Sequence, residues 1–233
     1  MGITGQLPLL FELRDEFTFE SYLPGENRTL RDLLVALPDN PTAQMLWIYA
    51  PPATGKTHLA QALVAALSTQ RVRIAYLPAA RAAGEAALTA LEGMQNFRLV
   101  VIDDADQWLN DAATEQALVG LYQELRLAGG HLVLFAAKSP ASYEFALPDW
   151  RSRCQGASVF ALQDLDEASK IQVLQQRAAR LGLTLDERVG HYLLRHGPRS
   201  LPELLLVLQR LDRAALAEQR NLSVPFTKRV LGW

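Results

Sequence analysis

The chain has 233 residues, 49% of them hydrophobic, a formal net charge of -2 and a pI near 6.1. That suffices for one good-sized core, or a core plus a small second domain, and offers no dedicated DNA-binding face, since bulk phosphate affinity needs clustered Lys and Arg. One cysteine, Cys154, excludes an internal disulfide, no apolar run approaches the ~18–20 residues of a bilayer span, and no signal-peptide pattern opens the chain, so a soluble, cytoplasmic protein is expected.

The elements follow in chain order. Gly2–Gly5 is expected to be flexible, and Gln6-Leu7-Pro8-Leu9-Leu10-Phe11 then packs four large apolar side chains into a short tail. Pro8 disfavours helix, so the tail is expected to be extended. Further on, short apolar runs alternate with longer amphipathic segments. The predicted strands are Leu46–Ala50, Arg73–Leu77, Leu99–Ile102, Leu132–Ala136 and Ser158–Leu162. Three are dense in Val, Ile and Leu, as in strands covered on both faces of a parallel sheet. Between them the pattern predicts helices over Thr57–Ser68, Gly84–Glu92, Asp111–Ala128 and the turn-rich Ser139–Arg153. This rhythm implies right-handed crossovers and a three-layer α/β domain.

After Leu162 the pattern changes. Asp166–Leu181, Asp186–His196 and Ser200–Gln219 read as helices, with Gly182 and Gly197-Pro198 as breaks and Asp166 and Asp186 as N-caps. The expected organisation is a tail over 1–12, an α/β nucleotide-binding domain over 13–162 and a helical lid over 163–233.

Between the first strand and the first of these helices lies Ala50-Pro-Pro-Ala-Thr-Gly-Lys-Thr57, the form of a phosphate-binding loop. A loop in that position aims backbone N–H groups and a helix N-terminus at a triphosphate. Lys56 would reach the β- and γ-phosphates, and the Thr57 hydroxyl would hold Mg²⁺. Ala50 stands where the usual pattern has its first glycine, and an alanine there is expected to tighten the turn.

The strand Leu99–Ile102 ends in Asp103-Asp104. Asp103 would hold Mg²⁺ through water and the Thr57 hydroxyl, and Asp104 would orient an attacking water, one methylene shorter than the glutamate many such ATPases carry. Two solvated acids at a strand end are the plainer alternative. Asp106 reads as a helix cap or a solvated acid. Lys138 or Ser139, at the end of the fourth strand, would sense a γ-phosphate or form a surface turn. Arg151-Ser152-Arg153 either caps a surface helix or projects an arginine finger toward a neighbouring subunit. Arg199 either folds over the phosphates or stands exposed at a helix start. The four histidines show no metal-ligand spacing and read as structural. Trp47, Trp108 and Trp150 read as core aromatics.

Taken together, Phe17-Thr18-Phe19 through Tyr22, Gly25-Glu26-Asn27, the loop and its acid pair, Arg151-Ser152-Arg153 and Pro198-Arg199-Ser200-Leu201 resemble the AAA+ module of the bacterial replication initiator DnaA. The resemblance covers nearly the whole chain. Neither the initiator's C-terminal helix-turn-helix domain nor its N-terminal oligomerisation domain has a counterpart, so the chain is most similar to the DnaA-related Hda family.

The resemblance implies a P-loop AAA+ fold, a five-stranded parallel sheet with a helical lid. It implies that Pro52, Ala53, Thr54, Gly55, Lys56, Thr57 and His58 contact ADP or ATP, with Mg²⁺ at Thr57 and Asp103. Arg199 becomes the lid sensor, and Arg153 the finger presented to ATP held by DnaA. Tyr22–Asn27 becomes the adenine neighbourhood. Gln6, Leu7, Leu9, Leu10 and Phe11 are similar to the peptide that docks on the DNA polymerase III β sliding clamp, where Leu and Phe fill an apolar pocket and Gln bonds at the rim. Asn221–Phe226 is also similar to the family's C-terminus. The partners implied are DnaA and the clamp, with no sequence-specific DNA binding, no membrane and a possible homodimer. Intrinsic ATPase activity is expected to be weak or absent, with hydrolysis in the DnaA subunit.

A self-sufficient AAA+ ATPase that loads or remodels a replication partner is the competing expectation, supported by the nearly intact loop and acid pair. A small-molecule kinase is disfavoured, because no arginine-rich lid surrounds a second substrate.

Overall fold

The computed structural model describes residue 14 and residues 17–68 and 72–233. It divides into two compact units, one up to Gln163 and one over Asp164–Trp233.

The first unit is built on five parallel strands: β1 (Met45–Tyr49), β2 (Ile74–Pro78), β3 (Leu99–Asp103), β4 (His131–Ala136) and β5 (Ser158–Ala161). Their order across the sheet is β2-β3-β4-β1-β5, and every pair is parallel. The helices are α1 (Arg28–Ala36), α2 (Lys56–Ser68), α3 (Glu85–Leu91), α4 (Ala112–Leu127) and α5 (Pro148–Gln155).

Successive strand residues point to opposite faces, and both faces are apolar. Trp47, Leu77, Val100, Ile102, Leu132 and Leu134 pack on one side with residues of α3, α4 and α5. Leu46, Ile48, Leu99, Val101, Val133 and Phe135 pack on the other with α1 and α2. That double coverage is why β1, β3 and β4 read as unbroken apolar runs. Each fully buried Leu or Ile here contributes about 1.5–3 kcal/mol relative to exposure. The edge strand β5 is the exception, with Ser158, Val159 and Ala161 exposed.

The second unit contains α6 (Glu167–Arg180), α7 (Glu187–His196), α8 (Leu201–Glu218) and α9 (Val224–Leu231) around Leu174, Val189, Leu193, Leu204, Leu208, Leu211 and Phe226. Asp166 and Asp186 cap α6 and α7 as expected, each accepting an N–H at 2.8 Å, from Ser169 and Val189. Ser200 and Ser223 cap α8 and α9.

Three expectations change. The helix expected over Ser139–Arg153 is a 3-10 turn at Pro140–Ser142 followed by α5, because Pro140 and Pro148 each open a new element. The helix α1 was not anticipated, although Leu30, Leu33, Leu34 and Leu37 carry helical spacing. Nor was α9, whose Pro225 reads as a breaker but occupies the first turn, where its missing N–H costs nothing.

Candidate functional site

The strands run the same way, so β1, β3 and β4 deliver their C-terminal ends to one edge of the sheet. Ligands of open α/β sheets bind outside such ends. Residues 51–55 leave β1 there and enter α2 directly at Lys56.

The turn places its strain at Ala53 (φ +67°) and Gly55 (φ +99°). Ala50 is buried, continues the sheet by donating its N–H to Ala136 O at 3.2 Å, and is not among the positive-φ residues. An alanine at position 50 therefore imposes no tightening, contrary to expectation. Thr54 Oγ1 braces the loop by donating to Pro51 O at 2.9 Å.

Lys56 is buried, and its ammonium donates to Ala50 O at 2.8 Å and Pro51 O at 3.1 Å. Burial lowers its pKa; Asp104, Asp103 and Asp106 oppose that shift. Asp103 ends β3 at 2% exposure. Burial pushes its carboxyl above the usual carboxylate range, a hydrogen bond from Thr57 opposes this, and the Asp104 charge adds to it. Asp103 Oδ2 also accepts from Tyr76 Oη at 2.9 Å, and Gln61 Nε2 donates to Tyr76 Oη at 3.3 Å. Asp103 Oδ1 accepts the Asp104 N–H at 3.2 Å. Asp104 itself sits in the left-handed region at φ +52°, a conformation aspartate tolerates better than most residues.

Lys56, Thr57, Asp103 and Asp104 are thus brought together. The donor set suits a hard cation. Thr57 and Asp103 supply a hydroxyl and a carboxylate, Mg²⁺ takes few protein oxygens beside phosphates, and a buried carboxylate held by only neutral donors gains from a cation. Among the described residues no group of three or more His, Cys, Asp or Glu forms a metal cage.

Over the loop lies the segment after residue 16. Phe17 stacks on His58 at 4.6 Å, and Tyr22 meets the same ring edge-on at 5.3 Å. His58 Nε2 lies 3.1 Å from Thr18 O and 3.2 Å from Ser21 Oγ. The His58 ring therefore serves packing of this segment on α2. A Cβ on Gly55 would stand 3.8 Å from Tyr22, so Tyr22 lies against the loop. Burial pushes the Tyr22 hydroxyl up to about 12. Asn27, buried, grips the backbone of Gln163 twice, accepting its N–H at 2.7 Å and donating to its C=O at 2.8 Å.

Arg153 donates to Asp149 at 3.1 Å and lies over the Tyr122 ring at 5.8 Å, while Arg151 is exposed. Arg199 is exposed, one residue before the α8 cap. Lys138 is exposed, its N–H donating to Tyr143 Oη and its C=O accepting from Trp47 Nε1, and Ser139 pairs with Ser142. Asp106 accepts the Ala137 N–H at 3.2 Å. The segment Gln6–Phe11 lies outside the described residues. Tyr76 and Gln61 were missed; the signal available was a hydroxyl in the apolar strand after Arg73.

Comparison with known proteins comes to the same fold. Residues 13–157 match the bacterial DnaA ATPase domain, and residues 161–231 match the lid domain of Hda. Domain III of the replication initiation protein DnaA of Thermotoga maritima aligns with a TM-score of 0.80 at 19% identity, over 95% of this chain and 98% of that one. AMPPCP-bound DnaA from Aquifex aeolicus aligns at 0.73 and 20%, over 90% and 71%. The RuvB Holliday junction branch migration motor of Thermotoga maritima aligns at 0.71 and 12%, over 92% and 71%. At these identities the structural likeness is one of fold.

Proposed function

The chain belongs to the Hda family of DnaA-related AAA+ proteins, and from that premise we propose that it is a nucleotide-bound regulator that switches off replication initiation. It docks on the polymerase sliding clamp through Gln6, Leu7, Leu9, Leu10 and Phe11, holds ADP in its own site, and supplies Arg153 to ATP bound by DnaA. An adenine nucleotide is favoured because the Aquifex aeolicus relative carries AMPPCP.

The observation that carries this reading is the Lys56–Thr57–Asp103 cluster at the strand ends, joined to a lid that matches Hda. In it Lys56, with the backbone N–H groups of Ala53–Thr57, binds phosphate oxygens, and Thr57 and Asp103 hold Mg²⁺, which neutralises phosphate charge when bound. Arg199 meets the nucleotide from the lid. Arg153 leaves Asp149 to stabilise the charge that develops on the γ-phosphoryl group in the partner, an effect worth ~10³–10⁵ in rate for arginine fingers. Asp149 is exposed, so the ion pair itself restrains Arg153 only weakly, and the arginine is held mainly by its packing over Tyr122.

The test is hydrolysis of DnaA-bound ATP with clamp loaded on DNA. Arg153→Ala should keep nucleotide and clamp binding and lose stimulation; full stimulation would refute the role of Arg153. The intact Asp103–Asp104 pair favours, as a second reading, a self-sufficient ATPase loading or remodelling a replication partner. Substantial turnover by the chain alone, abolished by Asp104→Asn, would decide for it.

A further inference from the structure

Glu115 is fully buried in the first turns of α4, and among the described residues no salt bridge neutralises it. Its carboxylate accepts three main-chain N–H groups instead. Oε1 takes Asn110 at 2.8 Å and Ala146 at 3.2 Å, and Oε2 takes Leu147 at 2.7 Å. Burying an ionisable group is tolerated only when its lone pairs are met in this way.

The donors come from two places that matter. Asn110, in a left-handed conformation at φ +62°, comes just before the Asp111 cap of α4 and after the 3-10 turn Ala105–Trp108 that follows Asp103–Asp104. Leu147 is the residue at the entry of α5, the helix that carries Arg153. That entry has no side-chain cap of its own, and Pro148 has no N–H to offer. Glu115 therefore holds the start of α5 from a different helix. Trp150 and Cys154, both buried, fix which face of α5 turns inward and leave Arg151 and Ser152 outside. Asp106 adds a parallel tie by accepting the Ala137 N–H at the exit of β4.

We propose that Glu115 is a positioning residue for Arg153: its carboxylate locks the entry of α5 to the start of α4, the helix that follows Asp103–Asp104 in the chain, so that the finger is presented at a fixed place relative to the chain's own nucleotide site. This role presupposes that Arg153 acts as the finger in the partner's hydrolysis, as read above.

Glu115→Gln in the full chain keeps the volume but turns an N–H donor toward the 146–147 turn. Hydrogen exchange should show the Asn110, Ala146 and Leu147 amides protected in the wild type and exchanging at least tenfold faster in the variant, with β1 and β3 unchanged. ADP affinity should stay within twofold. Stimulated hydrolysis of DnaA-bound ATP at saturating regulator should fall at least tenfold, and Glu115→Gln added to Arg153→Ala should cause no further loss. If Arg153→Ala abolishes stimulation while Glu115→Gln retains it in full, the positioning role is wrong and the finger stands. If Arg153→Ala stimulates fully, the finger reading falls and takes this role with it. Should Glu115→Gln fail to fold, exchange in the wild type decides: a Leu147 amide as fast as an open loop overturns the tie.

Discussion

Tyr76 donates its hydroxyl to Asp103 at 2.9 Å, from the middle of a neighbouring strand, beneath the phosphate-binding loop. The acid is nearly sealed from water, and its partners on the chain are neutral donors. Charge on Asp103 is thus sustained by these neutral donors together with the coulombic attraction of the Lys56 ammonium.

Tyr76→Phe removes one of those donors. Because burial already raises the Asp103 pKa and the tyrosine opposes that shift, the variant's pKa rises further. A hydrogen bond to a charged group is worth about 1.5–3 kcal/mol and one pKa unit about 1.4. The acid limb of Mg²⁺-dependent nucleotide binding should therefore move roughly one pH unit upward. Titrating affinity against pH in both proteins measures this; coincident limbs would exclude the coupling.

Asp103→Asn should stabilise the ligand-free protein at neutral pH while weakening Mg²⁺-assisted binding. The folded-state pKa lies above the unfolded one, so the native state binds more protons between them, and wild-type stability falls as pH rises through that window. Above it the ionised, buried carboxylate carries the full penalty, which asparagine does not. Melting temperatures should favour the variant at pH 7–8 and converge toward pH 4. A variant less stable at pH 7 than at pH 4, relative to wild type, contradicts this.

The strands were legible because both faces of the sheet are apolar, and the loop because Gly55-Lys56-Thr57 falls between a strand and a helix. Asp103 was legible as the polar end of an apolar run. What sequence hid were partnerships between distant residues: Tyr76 with Asp103, Asn27 with Gln163, and Glu115 with a turn about thirty residues on. Glu115 looks like any helix-start acid; only the fold turns it inward. The segment Ser139–Arg153 misled because its composition admits both turn and helix, and the prolines fix the boundaries only once Trp150 and Cys154 have an interior to fill.

Asn27→Ala leaves the Gln163 N–H and C=O without their buried partner. Gln163 is exposed, so each lost hydrogen bond costs its net value of about 0.5–1.5 kcal/mol, and a loss of roughly 1–3 kcal/mol is expected. Asn27→Asp, which keeps the acceptor, should lose less. Urea unfolding of the three proteins gives the comparison, and an unchanged midpoint for Asn27→Ala would show the pair to be idle.

Gln6→Ala combined with Leu9→Ala should weaken clamp binding by about 10–100-fold, the scale of interface anchors worth 1–3 kcal/mol. Melting temperature should not change. Titration against the purified clamp checks this, and unchanged affinity would remove Gln6–Phe11 from the clamp contact.

Calorimetric titration of the folded chain with ADP and Mg²⁺ tests the site most directly. One equivalent should bind, and Lys56→Ala, which withdraws the ammonium now resting on Ala50 and Pro51, should weaken binding at least tenfold, as expected for a lost charge-assisted hydrogen bond of about 1.5–3 kcal/mol. No heat of binding from either protein, with or without magnesium, would contradict a nucleotide site at these strand ends.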